Sequence, residues 1–599
     1  MKYLIILLLT FVVGVSINIS AQGQHSPKKE AVNKDIQYSQ VKLTPQEKML
    51  LEPSLNDIHP RYDAAEKMLT KKISGYNYHT DAVSGVFHEV RGSLTYAVGL
   101  LDLGDDQYTQ RAFDIIEKTI SLQDTNSNSK TCGVWPYYME EPLATKKSPT
   151  DFNWADFNSV SLLDVLFGHE SRIPQKLKPK IERSLILAAR CIQKRNVGPG
   201  YTNIALMGTY VTYVTSNLFD ISDMKEYANK RLLNFYNYTL EKGGFSEYNS
   251  PTYTIIALDE LERMKRHIVN PEARQIIDSL YITGWKMIAR HFHQPSGQWA
   301  GPHSRSYSSL LRPSFYGLLK LASDRKIDLG FDEKSSDVKV KHKIPQELIP
   351  LFLNPVYPRT ETDIFENVAP VIKGTTYLAK EYAISSVNRS GLWNQRRPFL
   401  LYWGTIQKPC YLQVRFLHDD YDFSSASLYS EQKENKILAA INLNTLGGDK
   451  HISIDRIKTG IFKARDLRLR FEFGKNTPIE NLIIPNSEFE LFSIITGNLR
   501  LNFQLYYSVF DQLKGYWVKG GDGNSSWIDY VIYSGNEREF DLNTIGEAAI
   551  GFTFVVSESK QKVENESVLS KVENKQLKVS WNGLQIEIPV NILPLPKNL

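Results

Sequence analysis

The chain has 599 residues, 42% hydrophobic, 11% aromatic and 23% charged, with 35 glycines and 27 prolines. That balance excludes a disordered, collagen-like or coiled-coil protein and predicts large globular cores in two or more domains. The formal net charge of +5 is spread along the chain without an arginine-rich block, which argues against nucleic-acid binding.

In chain order, Met1-Lys2-Tyr3 precedes an apolar run from Leu4 to Val15 and then small and polar residues up to Ala21. This is the pattern of a secretory signal peptide over residues 1–21, too short for a membrane span. The expectation is an exported protein, periplasmic or secreted, with no other segment of membrane length. Residues 22–50 read as a polar leader. Residues 51–340 carry helical periodicity: Ile181, Leu185, Ala188 and Ile192 recur at intervals of four and three around charged residues. Comparable stretches lie near 108–122, 157–168, 203–219, 225–240, 252–268 and 273–292, separated by breaks such as Val197-Gly198-Pro199-Gly200. Short connections predict antiparallel helix pairs, and without a clean repeat they form a toroid rather than a solenoid. Pro345, Pro350, Pro355 and Pro358 punctuate a linker over 341–360. From 361 to 599 the period becomes two: Leu467, Leu469, Phe471 and Phe473 alternate with Arg468, Arg470 and Glu472, as do Leu499, Leu501, Phe503 and Leu505 with Arg500, Asn502 and Gln504. Asn582-Gly583 marks a hairpin turn. The predicted architecture is multidomain, α then β: an incomplete α/α toroid followed by an antiparallel β-sandwich.

Three polar clusters fall at loop–helix junctions of the helical part, where a helix array presents side chains to a shared cleft. They are Gly198-Pro199-Gly200-Tyr201-Thr202-Asn203, the stretch from Gly243 to Tyr253, and the stretch from Gln298 to Tyr307. Alone, Asn203 reads as a cap, Tyr248 and Tyr253 as core tyrosines, and His303 as a loop stabiliser. Together they bring amide, phenol, imidazole and guanidinium groups to equivalent junctions.

The layout resembles the α/α-toroid polysaccharide lyases of the heparinase II/III, alginate-lyase and chondroitin AC-lyase kind. The second cluster looks like that group's Gly-rich loop ending in Ser-x-x-Tyr, here Ser250-Pro251-Thr252-Tyr253. The resemblance implies that Asn203 is the amide that neutralises a substrate carboxylate and that His303 contributes to the site. Two departures are Gly243-Gly244 where Asp-Gly is usual, and an Asn203 with no His after it. Polysaccharide lyase family 27, the rhamnose–glucuronate lyases, is one home this layout admits.

The chemistry of β-elimination asks for the same groups. Removing the C5 proton of a uronate requires a neutralised carboxylate, a base near C5 and an acid near the C4 oxygen. Asn203 and Arg305 suit the carboxylate, and Tyr253 suits base, acid or both. His303 suits a partner base or carboxylate donor, with Tyr307 and Tyr248 as second choices for the phenol. Asn249, Tyr248, Trp154, Trp299, Arg396 and Arg397 are candidate substrate-binding residues, the tryptophans (with Trp135) as sugar-stacking platforms. The 32 tyrosines, 27 phenylalanines and 9 tryptophans suit carbohydrate handling without establishing it. No cofactor or catalytic metal is called for, although His418-Asp419-Asp420 is a candidate for a structural divalent cation. Three widely spaced cysteines (Cys132, Cys191, Cys410) read as buried thiols. The expected partner is an acidic polysaccharide or oligosaccharide, the oligomeric state being left open. Two competing readings stand beside this one: a toroid glycoside hydrolase using Glu247 with Asp156, and a non-catalytic glycan-binding protein.

Overall fold

Helix formation begins at Thr44, whose hydroxyl accepts the Glu47 N–H while the Glu47 carboxylate accepts the Thr44 N–H. This capping box opens α1 (Pro45–Ile58), inside the stretch read as a leader. The computed structural model describes residues 35–331, 341–452, 455–477, 483–561 and 567–594; the signal-peptide expectation lies outside the described residues. Among the described residues no helix is long and apolar enough to cross a membrane.

The helical part continues with α2 (Val90–Leu103), α3 (Asp106–Ser121), α4 (Asn153–His169), α5 (Lys178–Arg195), α6 (Thr202–Leu218), α7 (Ser222–Lys242), α8 (Tyr253–His267), α9 (Pro271–His291) and α10 (Pro313–Ala322). α2, α4, α6 and α8 touch one another in succession, and each packs on the helix that follows it. The inner helices are buried on nearly every side, α6 from Thr202 to Asn217, whereas α3 buries only the stripe of Ala112, Phe113, Ile115, Ile116 and Thr119. That difference is the sequence signature of an inner and an outer layer. A three-stranded sheet (Tyr62–Asp63, Met68–Ser74, Ser84–Glu89) interrupts the helical pattern before α2. It was not legible because its central strand buries only Met68 and Leu69 and leaves the rest half-buried or exposed, so no alternation marks it. The proline-punctuated stretch carries α11 (Ile349–Leu353) and seats Phe352 on Phe292, ring centroids 5.2 Å apart.

The β part is two large antiparallel sheets face to face, with a three-stranded antiparallel sheet (Leu569–Glu573, Gln576–Trp581, Leu584–Pro589) beside them. In the larger, nine-stranded sheet the order runs from Tyr516–Gly521 through Ser525–Asp541, Ile461–Gly474, Pro409–His418, Phe399–Gly404, Tyr382–Val387 and Ile372–Leu378 to the edge strand Arg359–Glu366. The six-stranded sheet ends at the short strand Arg389–Gly391. Leu467, Leu469, Phe471 and Phe473 of one sheet and Leu501, Phe503 and Leu505 of the other are all buried, and Phe471 meets Phe503 edge-on at 5.1 Å. Asn582 and Gly583 take φ of 54° and 75°, so the turn is the left-handed type that pairs Trp581 with Leu584. The chain is an incomplete α/α toroid followed by an antiparallel β-sandwich.

A polar seam joins the halves. Arg290 at the end of α9 donates to Glu361 (2.7 Å) and Asp363 (2.6 Å) of the edge strand, His291 Nε2 lies 3.0 Å from Asp363, and Lys242 pairs with Glu366. Burial pushes the Asp363 carboxyl up, but His291 and Arg290 outweigh it and hold the group at about 2.

Candidate active site

A cleft of about 1020 Å³ opens where the toroid's inner-helix ends meet the sandwich. Three segments build its centre. At the first, Asn203 stands in the opening turn of α6, fully buried at its Oδ1, which has no hydrogen-bond partner. Thr202 Oγ1 accepts the Glu247 N–H (3.1 Å), which ties the second segment to the same turn.

The second segment shows why the Ser-x-x-Tyr spacing matters. Ser250 Oγ accepts the Tyr253 N–H at 3.0 Å, an unpaired donor of the first turn of α8, and donates to the Arg305 carbonyl at 2.7 Å. Tyr253 is thereby the first residue of α8 with its phenol at the cleft. Asn249, at φ 45°, is the knot of this loop. Its Nδ2 donates to the Ala300 and Pro302 carbonyls (2.8 and 3.0 Å), its Oδ1 accepts the Trp299 indole N–H, and its carbonyl accepts His303 Nδ1–H at 2.6 Å.

The third segment supplies Arg305, the hub. Its Nη2 donates to the Tyr253 hydroxyl (2.9 Å), Nε and Nη2 donate to Gln395 Oε1 (3.1 and 2.8 Å), and Nη1 lies 3.3 Å from Glu247 Oε1. Its guanidinium stacks 4.6 Å from the Tyr253 ring and 5.0 Å from Trp393. The Tyr253 and Tyr307 hydroxyls are 2.7 Å apart. Burial pushes the Tyr253 phenol well above its ordinary value, against the pull of Arg305 and with the help of Tyr307, so it is a neutral donor at physiological pH.

The expected site residues thus divide. Asn203, Tyr253, Arg305, Tyr307, Tyr248, Trp154 and Arg396 line the cleft together. Asn249, Trp299, His303 and Arg397 are not among its lining residues. Trp299 and Asn249 are wholly buried, and Trp135, also buried, spends its indole N–H on the Thr119 carbonyl (3.0 Å). His303 is buried, and loss of hydration pushes its imidazole down to about 3. With Nδ1–H given to Asn249, its Nε2 is left bare and unpartnered inside the protein. His303 exchanges backbone hydrogen bonds with Arg397 (3.0 and 2.9 Å), which clips the loop bearing Arg305 to the sandwich loop bearing Gln395.

Sequence reasoning missed several cleft residues. His79 and His451 bracket Tyr78, whose ring lies 4.0 Å from each. Burial, and then the charges of His79 and Arg305, hold the His451 imidazole below its ordinary value. Tyr137 stacks on Trp154 at 3.8 Å and 15°, and Arg91 lies 3.5 Å over Phe157. These come from loops and helix ends far apart in sequence, so only the tertiary fold reveals them; the aromatic excess was their one trace.

Glu247 and Asp156 do not share the cleft: Glu247 lines it, whereas Asp156 is buried behind it, 3.7 Å from Arg195. Burial raises the Glu247 carboxyl to about 7, although Arg305 and the backbone N–H groups of Asn203 and Thr202 pull it down. A group whose folded value lies above its unfolded one lends stability that is complete below about 4.3 and is lost as pH rises through 7. The melting temperature of the native chain should therefore fall relative to Glu247→Gln between about pH 5 and pH 8; parallel pH curves for the two would contradict this assignment.

His418 donates or accepts at both nitrogens, with Asp449 at 2.8 Å and the Lys463 carbonyl at 2.8 Å, and Asp419 Oδ1 accepts the Arg465 and Asp466 N–H groups. Among the described residues no group of three or more His, Cys, Asp or Glu side chains could hold a metal ion.

The family model described as "Domain of unknown function (DUF8769)" matches residues 49–320. No curated protein matches the chain. Among solved structures the chain is similar to heparinase III (9% identity, covering 92% of each chain, TM-score 0.41). It is similar also to the heparan sulfate lyase HepC from Pedobacter heparinus (9% identity, 93% of this chain and 90% of that one, TM-score 0.35). A third is a Streptomyces coelicolor A3 chondroitin AC lyase in complex with chondroitin sulphate (8% identity, 91% and 84%, TM-score 0.47).

Proposed function

We propose that the protein is a polysaccharide lyase that cleaves a uronic-acid-containing glycan by β-elimination. The observation that carries this reading is the Tyr253 phenol, neutral, in contact with Tyr307 and accepting from Arg305, in one cleft with the Asn203 amide and a neutral imidazole. In this reading the Asn203 amide N–H groups and Arg305 meet the uronate carboxylate. They stabilise the charge that builds on it as the C5–H bond breaks. His451, held neutral, takes the C5 proton, and the electron pair moves into the new C4–C5 double bond as the C4–O bond breaks. Tyr253 gives its proton to the departing C4 oxygen. Arg305 donates into the phenol oxygen and so leaves the phenol proton to face Tyr307 or the leaving group. His303 acts through Asn249 as a positioning residue. Trp154 on Tyr137 offers an aromatic face for a sugar ring. The amino-terminal sequence pattern supports export, to the periplasm or beyond.

The test is to digest a panel of acidic polysaccharides and follow the ultraviolet absorbance of the conjugated, unsaturated uronate. Product that contains new reducing ends but no unsaturation would make the protein a hydrolase, and binding without new ends would make it a glycan-binding protein. On a cleaved substrate the acid limb of kcat/KM should lie below about 6.5, the ordinary histidine value, because His451 must be unprotonated and its folded environment favours that form. An acid limb above that value, or one unchanged in His451→Ala, would remove His451 from the mechanism.

A further inference from the structure

The arginine and lysine side chains of the cleft differ in their partners: some face a carboxylate, and Arg91 stacks on Phe157 at 3.5 Å. Arg305, Arg195 and Lys242 each face a carboxylate of this chain, Glu247, Asp156 and Glu366 respectively. Arg389 and Arg396 line the same cleft with no carboxylate partner among the described residues. The Nε of Arg389 is buried without a hydrogen-bond acceptor, its guanidinium 5.2 Å from the ring of Tyr429 on the neighbouring strand.

The Arg396 guanidinium reaches the strand face that bears Arg389. Arg389 and Gly391 are two residues apart on a strand, so their Cβ directions lie on the same face. A Cβ built on Gly391 would come 3.4 Å from Arg396 Nη1. The glycine therefore opens the strand face that Arg389 occupies to the arm of Arg396. The Arg396 N–H donates to the Trp393 carbonyl (2.8 Å), which fixes the loop, and the preceding residue, Gln395, is held by Arg305. Burial, together with the charge of Arg305, pulls the Arg396 guanidinium below its ordinary value. A desolvated cation without a counter-ion is costly, and an oxyanion gripped by a planar guanidinium fork offsets that cost.

We propose that Arg396 and Arg389 form a second oxyanion subsite, beside the Arg305 centre, for a sulfate or carboxylate carried by a sugar adjoining the reacting one. The oxyanion chemistry stands on these residues alone, and its placement on a sugar rests on the lyase reading. The substrate class is then a glycan with acid groups on neighbouring residues rather than one isolated uronate.

The experiment compares thermal denaturation of the full chain in sodium sulfate and in sodium chloride at equal ionic strength. Sulfate should raise the melting temperature of the native chain and of Tyr253→Phe by a saturable step on top of the general, non-saturating stabilisation it gives any folded chain, and the saturable step should vanish in Arg396→Gln and Arg389→Gln. A full saturable step in both arginine variants, or the same step with chloride, overturns the subsite whether or not any glycan is cleaved. An Arg396-dependent shift in a chain that yields no unsaturated product from any acidic glycan keeps the subsite and overturns the lyase reading. A second arm measures dissociation constants in the Tyr253→Phe background for an oligouronate and for a uronate–hexosamine oligosaccharide bearing one sulfate. Arg396→Gln should weaken at least one of them about tenfold or more, the one affected naming the acid group. Unchanged affinity for both overturns the proposal.

Discussion

Tyr253→Phe is expected to lower kcat by about 10²–10⁴-fold, the usual worth of a positioned general acid, with substrate affinity nearly intact. The substitution removes one oxygen at the rim of the cleft. It deletes one of the two acceptors of Arg305 Nη2 and the partner of the Tyr307 hydroxyl, yet leaves the ring that stacks on the guanidinium. Arg305 keeps Gln395 and Glu247, so the hub stays in place. The check is steady-state kinetics on a cleaved glycan beside calorimetric binding and a melting curve. A variant that retains more than about a tenth of native kcat would show that Tyr253 is not the proton donor. Tyr307 is the nearest phenol to substitute for it, so Tyr253→Phe/Tyr307→Phe should not recover activity.

The largest effect on stability is expected at Asn249, not at any cleft residue. Asn249→Ala removes two donated hydrogen bonds and one accepted one. It leaves the Ala300 and Pro302 carbonyls and the Trp299 indole N–H buried without those partners, and places alanine at φ 45°. Each unsatisfied buried group costs about 1–3 kcal/mol and the left-handed backbone about 1 more, so a loss of at least about 4 kcal/mol follows. Denaturant unfolding of the full chain, followed through tryptophan fluorescence, measures it. A loss under about 1 kcal/mol would mean that the loop repacks and that this knot is not what holds His303 and Trp299.

The fold was legible where burial is periodic. The outer helices and the strands around Phe471 and Phe503 bury every second, third or fourth residue, and their patterns were readable from the chain. The sheet before α2 was not, because strands with so little burial carry no such code. For the cleft, the loop–helix junctions pointed to Asn203 and Tyr253, since a helix start frees backbone donors, whereas Arg305 and Tyr307 line it from the loop between Gln298–Trp299 and α10. The same argument could not separate His303 from the cleft. A histidine two residues before Arg305 points inward to Asn249, while His79 and His451 arrive from distant loops. Proximity along the chain fixes backbone position, not the direction of a side chain, and that direction is decided by which buried partner is satisfied first.

The backbone clip between His303 and Arg397, with the Ser306 N–H donating to the Gln395 carbonyl at 2.7 Å, has a consequence for recombination. The main hydrophobic cores of the two halves are separate clusters, bridged by a small one in which Ala300 and Leu310 meet Leu378, Ala383, Leu400 and Tyr402, so either half of a chimaera could be exchanged with its main interior intact. The loops 301–309 and 393–397 belong to different halves by sequence but to one unit by hydrogen bonding. A graft that moves the sandwich alone would break Arg305 from Gln395 while sparing both main cores, and would yield a folded but inert protein. The heritable module of this molecule is therefore the pair of loops, and crossovers that keep them together are the ones that carry the site.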